Sequence, residues 1–238
     1  PWPSADRWDY SNIDPDLEAN AELATWGHTR GIFEVAHFMR GMETLFMDLV
    51  TAPEFACALL DRIGDYLLAK LRRILEEGRG RYVLFEYNDD VAHQEGMLIS
   101  PGMWREFIKP RMKRFCDLIH EHGARVQYHC CGSCYPIVPD LIEIGVDVLN
   151  PIQPLARDMD PVRLKKEFGD RLCLHGGVDD QELLPHATPR EVRDHVGKLV
   201  EVMGRGGGYI LAGSHTIQAS TPAENVIAMV EAGTGRRL

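Results

Sequence analysis

Four helix starts built alike constrain what this chain can fold into more than any other feature of its sequence. Ser100-Pro101, Asp160-Pro161, Thr188-Pro189 and Thr221-Pro222 each place a capping side chain before a proline. Proline suits the first helical position, where its missing N–H costs nothing, and the preceding oxygen accepts from the helix's first amides. Thr188 with Glu191 and Thr221 with Glu224 also have capping-box spacing. Short apolar runs precede or separate these starts and read as strands at 82–86, 125–129, 146–150, 172–175 and 209–212. Helices are expected at 101–121, 136–144, 161–168, 189–203 and 222–232, with glycines closing several of them.

Strand and helix alternating through short connections imply parallel strands joined by right-handed crossovers. An open doubly wound sheet and a closed barrel both satisfy that rule. No Gly-x-Gly-x-x-Gly follows a first strand, so the α/β reading preferred is a (β/α)8 TIM barrel. Upstream, residues 31–50 carry apolar positions at helical spacing, and a second helix is expected from Pro53 to about Glu77. A sixth strand is expected near 23–26. Residues 1–30 otherwise read as an N-terminal arm and 31–238 as one barrel domain, N-terminally truncated by about two strand–helix units.

The 238 residues carry a net charge of -10. That balance argues against a nucleic-acid partner, because phosphate backbones are bound by basic faces. No apolar run is long enough to span a bilayer, so no membrane partner is expected. Six cysteines are present, and three crowd together as Cys130, Cys131 and Cys134. Clustered cysteine beside histidine reads as a reduced metal or catalytic site of a cytoplasmic protein rather than a disulfide framework.

In both parallel architectures ligands bind beyond the C-terminal ends of the strands. That rule selects Tyr87, Asp89 and Asp90, then His129 to Cys134, then Asn150 and Gln153, then His175 and Asp179, and finally Ser214 and His215. On a strand, Gln127, His129 and Cys131 share one face while Tyr128 and Cys130 take the other. An imidazole and a thiolate on one face suit two ligands of a tetrahedral zinc ion. A third ligand is open between His215, His175, Asp89 and Cys134. Asp89 and Asp90 read as general acid–base or substrate-positioning groups, with a capping role as the plainer alternative. Gly204-Arg205-Gly206-Gly207-Gly208 precedes a strand and reads as a turn rather than a phosphate cradle.

These stretches, in order, resemble the uroporphyrinogen decarboxylase superfamily, which includes cobalamin-dependent methyltransferases. The resemblance is carried by Gly31-Ile32-Phe33-Glu34, by Asp89-Asp90 with Gln94-Glu95-Gly96 and Ile99-Ser100-Pro101, and by His129-Cys130-Cys131-Gly132-Ser133. It continues through Asp147-Val148-Leu149-Asn150-Pro151-Ile152-Gln153, His175-Gly176-Gly177-Val178-Asp179 and Gly207-Gly208-Tyr209-Ile210-Leu211-Ala212. The resemblance implies a (β/α)8 barrel. His129 and Cys131 match the His-x-Cys ligand pair of the family's zinc methyltransferases. Those enzymes take a third cysteine after the last strand, where this chain reads Ala212-Gly213-Ser214-His215. Either His215 replaces that cysteine or the metal site is altered.

Three functions follow as expectations from the resemblance. The first is a zinc methyltransferase passing a methyl group to or from a corrinoid on a partner protein. There His129, Cys131 and His215 hold the metal, Asp89 and Asp90 act in catalysis, and Tyr87, Gln94, Asn150, Gln153, His175 and Asp179 bind a small-molecule substrate. The second is a metal-free uroporphyrinogen decarboxylase of tetrapyrrole biosynthesis. The third is a catalytically altered barrel that only binds a small molecule. A homodimer is the expected assembly.

Overall fold

The computed structural model describes residues 2–237. In chain order the helices are α1 (Ile13–Ala19), α2 (Ile32–Arg40), α3 (Met42–Thr51), α4 (Pro53–Gly78), α5 (Pro101–Met103), α6 (Lys109–Glu121), α7 (Val138–Glu143), α8 (Pro161–Phe168), α9 (Leu183–His186), α10 (Pro189–Met203) and α11 (Ala223–Thr234). The strands are β1 (Trp26–Arg30), β2 (Leu84–Asn88), β3 (Ala92–His93), β4 (Gly96–Met97), β5 (Arg125–His129), β6 (Val148–Ile152), β7 (Cys173–Val178) and β8 (Tyr209–Gly213). The fold class is α/β, the parallel strand–helix repeat of TIM-barrel-like folds.

The chain divides into two compact units. The first takes the residues up to Val91 with Met97–Cys130 and Pro136–Asp147. Within it β1 pairs with β2 and β2 with β5, all parallel. Their register lines up His28, Glu86 and Gln127, and two residues further on Arg30, Asn88 and His129. Glu86 and Gln127 are both buried, and the Gln127 amide donates to Glu86 Oε2 at 2.6 Å. That bond satisfies two polar groups that would otherwise each destabilise the interior by about 1–3 kcal/mol.

Helix α4 shows why this unit holds together. Leu60, Ile63, Leu67, Leu71 and Leu75 repeat at helical spacing and are all buried. Each such side chain contributes about 1.5–3 kcal/mol relative to an exposed one. The helix stops where Arg79 takes the left-handed conformation, φ 49°. The single helix expected at 31–50 is two helices, because Gly41 lies between them at φ 84° and cannot continue the first.

In the same unit Asp140 of α7 accepts from Arg105 Nη2 at 2.8 Å and from Lys109 Nζ at 2.7 Å. Arg105 first, and Lys109 with it, hold the Asp140 carboxyl below its ordinary 3.8. A folded-state pKa below the unfolded one gives stability that is present above the unfolded value and lost as the pH falls through the folded value. Asp140→Asn should therefore lose about 1–2 kcal/mol at neutral pH. In urea denaturation the gap from the wild type should close below about pH 4. A gap of constant size from pH 7 to pH 3 would contradict this account.

The second unit comprises Ala92–Gly96, Cys131–Tyr135 and the residues from Val148 on. Here β6 pairs with β7 and β7 with β8, again parallel. β6 is buried throughout, and α10 lays Val192, Val196, Leu199 and Met203 against the interior. Thr188 and Glu191 form the expected reciprocal capping box. Ser100 and Asp160 cap as expected, accepting from Met103 N and Arg163 N.

Several expectations are corrected. The box at Thr221 does not form: Pro222 itself is the N-cap residue of α11, and Thr221 Oγ1 is buried without a hydrogen-bond partner. The stretch expected to be an arm holds α1 and the whole of β1, which lies at Trp26–Arg30 rather than 23–26. The helix expected at 101–121 contains a π-helical turn at Trp104–Ile108. No helix among the described residues is long and apolar enough to cross a membrane.

Candidate functional site

The strand exits carry the polar residues, and local geometry separates those that build the fold from those that meet a ligand. At the exit of β2, Tyr87 is fully buried, its ring edge-on to Phe115. Its hydroxyl donates to Asp89 Oδ2 at 3.2 Å and accepts from Ile32 N at 3.0 Å. Burial and the nearby Asp89 push the phenol well above its ordinary range. Tyr87, expected to bind substrate, is thus a core residue, because its position on the pleat points it away from solvent.

Asp89 is likewise enclosed. Its two oxygens accept from Glu34 N at 2.7 Å and Phe33 N at 3.3 Å, the first amides of α2. Desolvation pushes its carboxyl up to about 7 against the opposite pull of those amides and of Tyr87. Expected to act on substrate, Asp89 instead caps α2 from the end of β2. Asp90 is different. Its side chain is 38% exposed, and Oδ1 lies 4.0 Å from His129 Nε2.

The turn after β5 is fixed within the second unit. Gly132 N donates to Gln153 Oε1 at 2.8 Å, and Gln94 Nε2 donates to the same oxygen at 2.7 Å. Ser133 N donates to His93 O at 2.9 Å. Gln94 and Gln153, two of the expected substrate-binding residues, are therefore brought together as a support for the turn that follows Cys131. Just beyond β5, Cys130 is fully buried and Cys131 half-buried.

Asn150 is buried beside the cis Asn150–Pro151 bond. His175 is half-buried on β7 and precedes two glycines. Asp179 accepts from Gln181 N at 2.8 Å, Glu182 N at 3.2 Å and Leu183 N at 3.2 Å. Those bonds make it the cap of the turn leading into α9, rather than the substrate contact expected of it. The next residue, Asp180, was not anticipated from the sequence. It is only 6% exposed and accepts from Ser214 Oγ at 2.6 Å. The signal available was its place in a second Asp-Asp pair at a strand exit, matching Asp89-Asp90.

Cys131 and His215, both of the second unit, could hold a metal ion: each offers one ligand atom, and these two atoms lie within 4.8 Å of each other. His129 stands two residues before Cys131 in the chain. Of the four candidates for a third ligand, His215 is the one in this group. Zinc binds thiolate sulfur at about 2.3 Å and imidazole nitrogen at about 2.0–2.1 Å, so tetrahedral neighbours stand about 3.5 Å apart. One sulfur and two nitrogens are a borderline-soft donor set that suits zinc.

Comparisons with known proteins agree with this fold. The sequence profile of the uroporphyrinogen decarboxylase (URO-D) family matches residues 16–235. The methylated-thiol–coenzyme M methyltransferase of Methanosarcina mazei is 26% identical over 201 residues, covering 84% of this chain and 50% of that protein. The uroporphyrinogen decarboxylase of Coxiella burnetii is 24% identical over 194 residues, covering 77% of this chain and 48% of its own length. A solved methyltransferase structure from Methanosarcina mazei superposes with a TM-score of 0.75 at 21% identity, over 94% of this chain and 63% of that one. The chain thus spans about half the length of the relatives it matches in sequence.

Proposed function

This chain belongs to the uroporphyrinogen decarboxylase family, and from that premise we propose that it is a zinc-dependent methyltransferase. It moves a methyl group between a small-molecule substrate and a corrinoid carried by a partner protein. The observation that carries the reading is the approach of Cys131 and His215, whose ligand atoms lie within 4.8 Å of each other, with His129 two residues before Cys131 in the chain. The nitrogen of His215 takes the place that a third cysteine fills in the methyltransferases this sequence resembles. Relatives named as methyltransferases support the same choice within the family.

A zinc ion held by these three residues would supply a Lewis acid that lowers the pKa of a substrate thiol or polarises an ether oxygen. The chain's own residues set up that chemistry. Cys131 contributes the one anionic donor. Asp90 places a carboxylate oxygen 4.0 Å from His129 Nε2 and so puts a negative charge beside that ring. Gln94 and Gln153 hold Gly132, and with it the turn that aims Cys131. Asn150 on β6 and His175 on β7 remain the substrate-facing candidates.

Relatives named as uroporphyrinogen decarboxylases keep decarboxylation as the second reading. A porphyrinogen polycarboxylate needs cationic side chains around it, whereas a buried carboxylate, Asp180, lies beside His215 here. The discriminating assay mixes zinc-loaded protein with methylcobalamin and a thiol, and follows loss of the methylcobalamin spectrum and appearance of the methyl thioether. Zinc-dependent transfer is expected, abolished by a chelator and restored by zinc. Decarboxylation of uroporphyrinogen by zinc-free protein, with no methyl transfer, would overturn the reading.

A further inference from the structure

A cavity of about 320 Å³ lies wholly within the second unit, lined by Gln153, Asp180, Gln181, His186, His215 and Gln218 among others. It reaches the candidate metal ligand His215 and is in the size range of small-molecule sites. Its lining includes no lysine or arginine among the described residues. Asp180 faces it as a carboxylate 94% removed from solvent, the complement of its 6% exposure. Among the described residues, its side chain receives a hydrogen bond from the neutral Ser214 hydroxyl, at Oδ1. No salt bridge reaches it among the described residues, although every cation near Asp140, Asp147 or Glu167 is paired.

A largely buried carboxylate with no salt bridge, at the wall of a cavity that has no lysine or arginine, favours a ligand that brings a positive charge. The same carboxylate repels an anionic ligand. We propose that this cavity takes the substrate's cationic head group, a protonated amine or methylated ammonium, against Asp180. The amide oxygens of Gln181 and Gln218 and the Ser220 hydroxyl, in the same lining, can accept hydrogen bonds from that nitrogen. The assignment rests on the methyltransferase reading for the role of the cavity, but the charge preference itself is set by Asp180 alone. It places the class of substrate among small methylated amines or amine-bearing methyl acceptors, and excludes sulfonates and carboxylates at this end of the molecule.

Three probes that differ only in one terminal group test this: 2-aminoethanol, 1,2-ethanediol and glycolate, which are cationic, neutral and anionic at neutral pH. Binding is read by NMR titration, and the zinc content of each sample is measured separately. The amine should bind about tenfold or more tightly than the diol, and glycolate more weakly still. Asp180→Asn should bring the amine and the diol to the same affinity, while Asp180→Glu should keep the amine preference. Glycolate binding as well as the amine, an unchanged preference in Asp180→Asn, or binding of none of the three would overturn the proposal. Zinc-free protein that still prefers the amine would sink the metal reading and leave this one standing. Zinc-loaded protein with no charge preference would do the reverse.

Discussion

Replacing Cys131 with alanine should weaken zinc binding about a hundredfold or more, the largest single effect expected of any substitution in this chain. The thiolate is the only anionic donor in the group, and its loss leaves two neutral imidazoles that cannot close a tetrahedral site. The fold should hardly notice, because Cys131 is half-buried and the change removes one sulfur atom from a partly wet position. Thermal unfolding of the metal-free proteins should differ by less than about 1 kcal/mol. His215→Ala should weaken zinc as well, by removing the nitrogen that stands in for a third cysteine. Competition against a zinc indicator measures both variants. Wild-type affinity in Cys131→Ala would remove the thiolate from the site.

Gly132→Ala should instead damage the structure itself. Gly132 holds φ 84°, and an added Cβ would fall 2.4 Å from the carbonyl carbon and oxygen of His93. Those are backbone atoms, fixed in turn by the bond from Ser133 N, so they cannot move aside cheaply. The variant should lose about 3 kcal/mol or more, which for a chain of this length lowers the melting temperature by about 6–12 °C. Gly123→Ala provides the control. Its φ is +82°, but nothing lies within 4 Å of the added Cβ. It should therefore lose only the backbone strain, about 1–2 kcal/mol. Equal melting temperatures for the two variants would show that the close approach to His93 has no energetic weight.

What the sequence revealed followed from which signals are local. Proline after a capping residue is local chemistry, and it marked the starts at Ser100, Asp160 and Thr188 correctly. The same pattern misled at Thr221, where the cap is Pro222 and the threonine hydroxyl has no partner. Two-residue strands have no periodicity to detect, so β3 and β4 were invisible, although β3 supplies the His93 carbonyl that fixes the turn after Cys131. Nor could local spacing show that a break at Gly41 divides one expected helix into two.

At the site, position was legible but orientation was not. The two Asp-Asp pairs at strand exits behave alike. In each, the first carboxylate turns inward to cap a helical segment: Asp89 on the amides of Phe33 and Glu34, Asp179 on those of residues 181–183. The second carboxylate of each pair is presented, Asp90 toward His129 and Asp180 toward the cavity. A sequence gives the pair, but only the path of the backbone beyond the strand decides which member faces a ligand. For Cys131 the place after the strand was legible but its facing was not, because β5 ends at His129 and alternation does not reach Cys131. The approach of Cys131 to His215 joins residues 84 apart in the chain, which no local pattern encodes.

X-ray absorption at the zinc edge, on protein loaded with zinc and freed of excess metal, tests the central claim most directly. The account predicts one equivalent of zinc, with one sulfur at about 2.3 Å and nitrogen or oxygen neighbours at about 2.0–2.1 Å, imidazole scattering from two histidines, and loss of the sulfur shell in Cys131→Ala. Protein that retains no zinc, or zinc surrounded only by oxygen and nitrogen in the wild type, would contradict it.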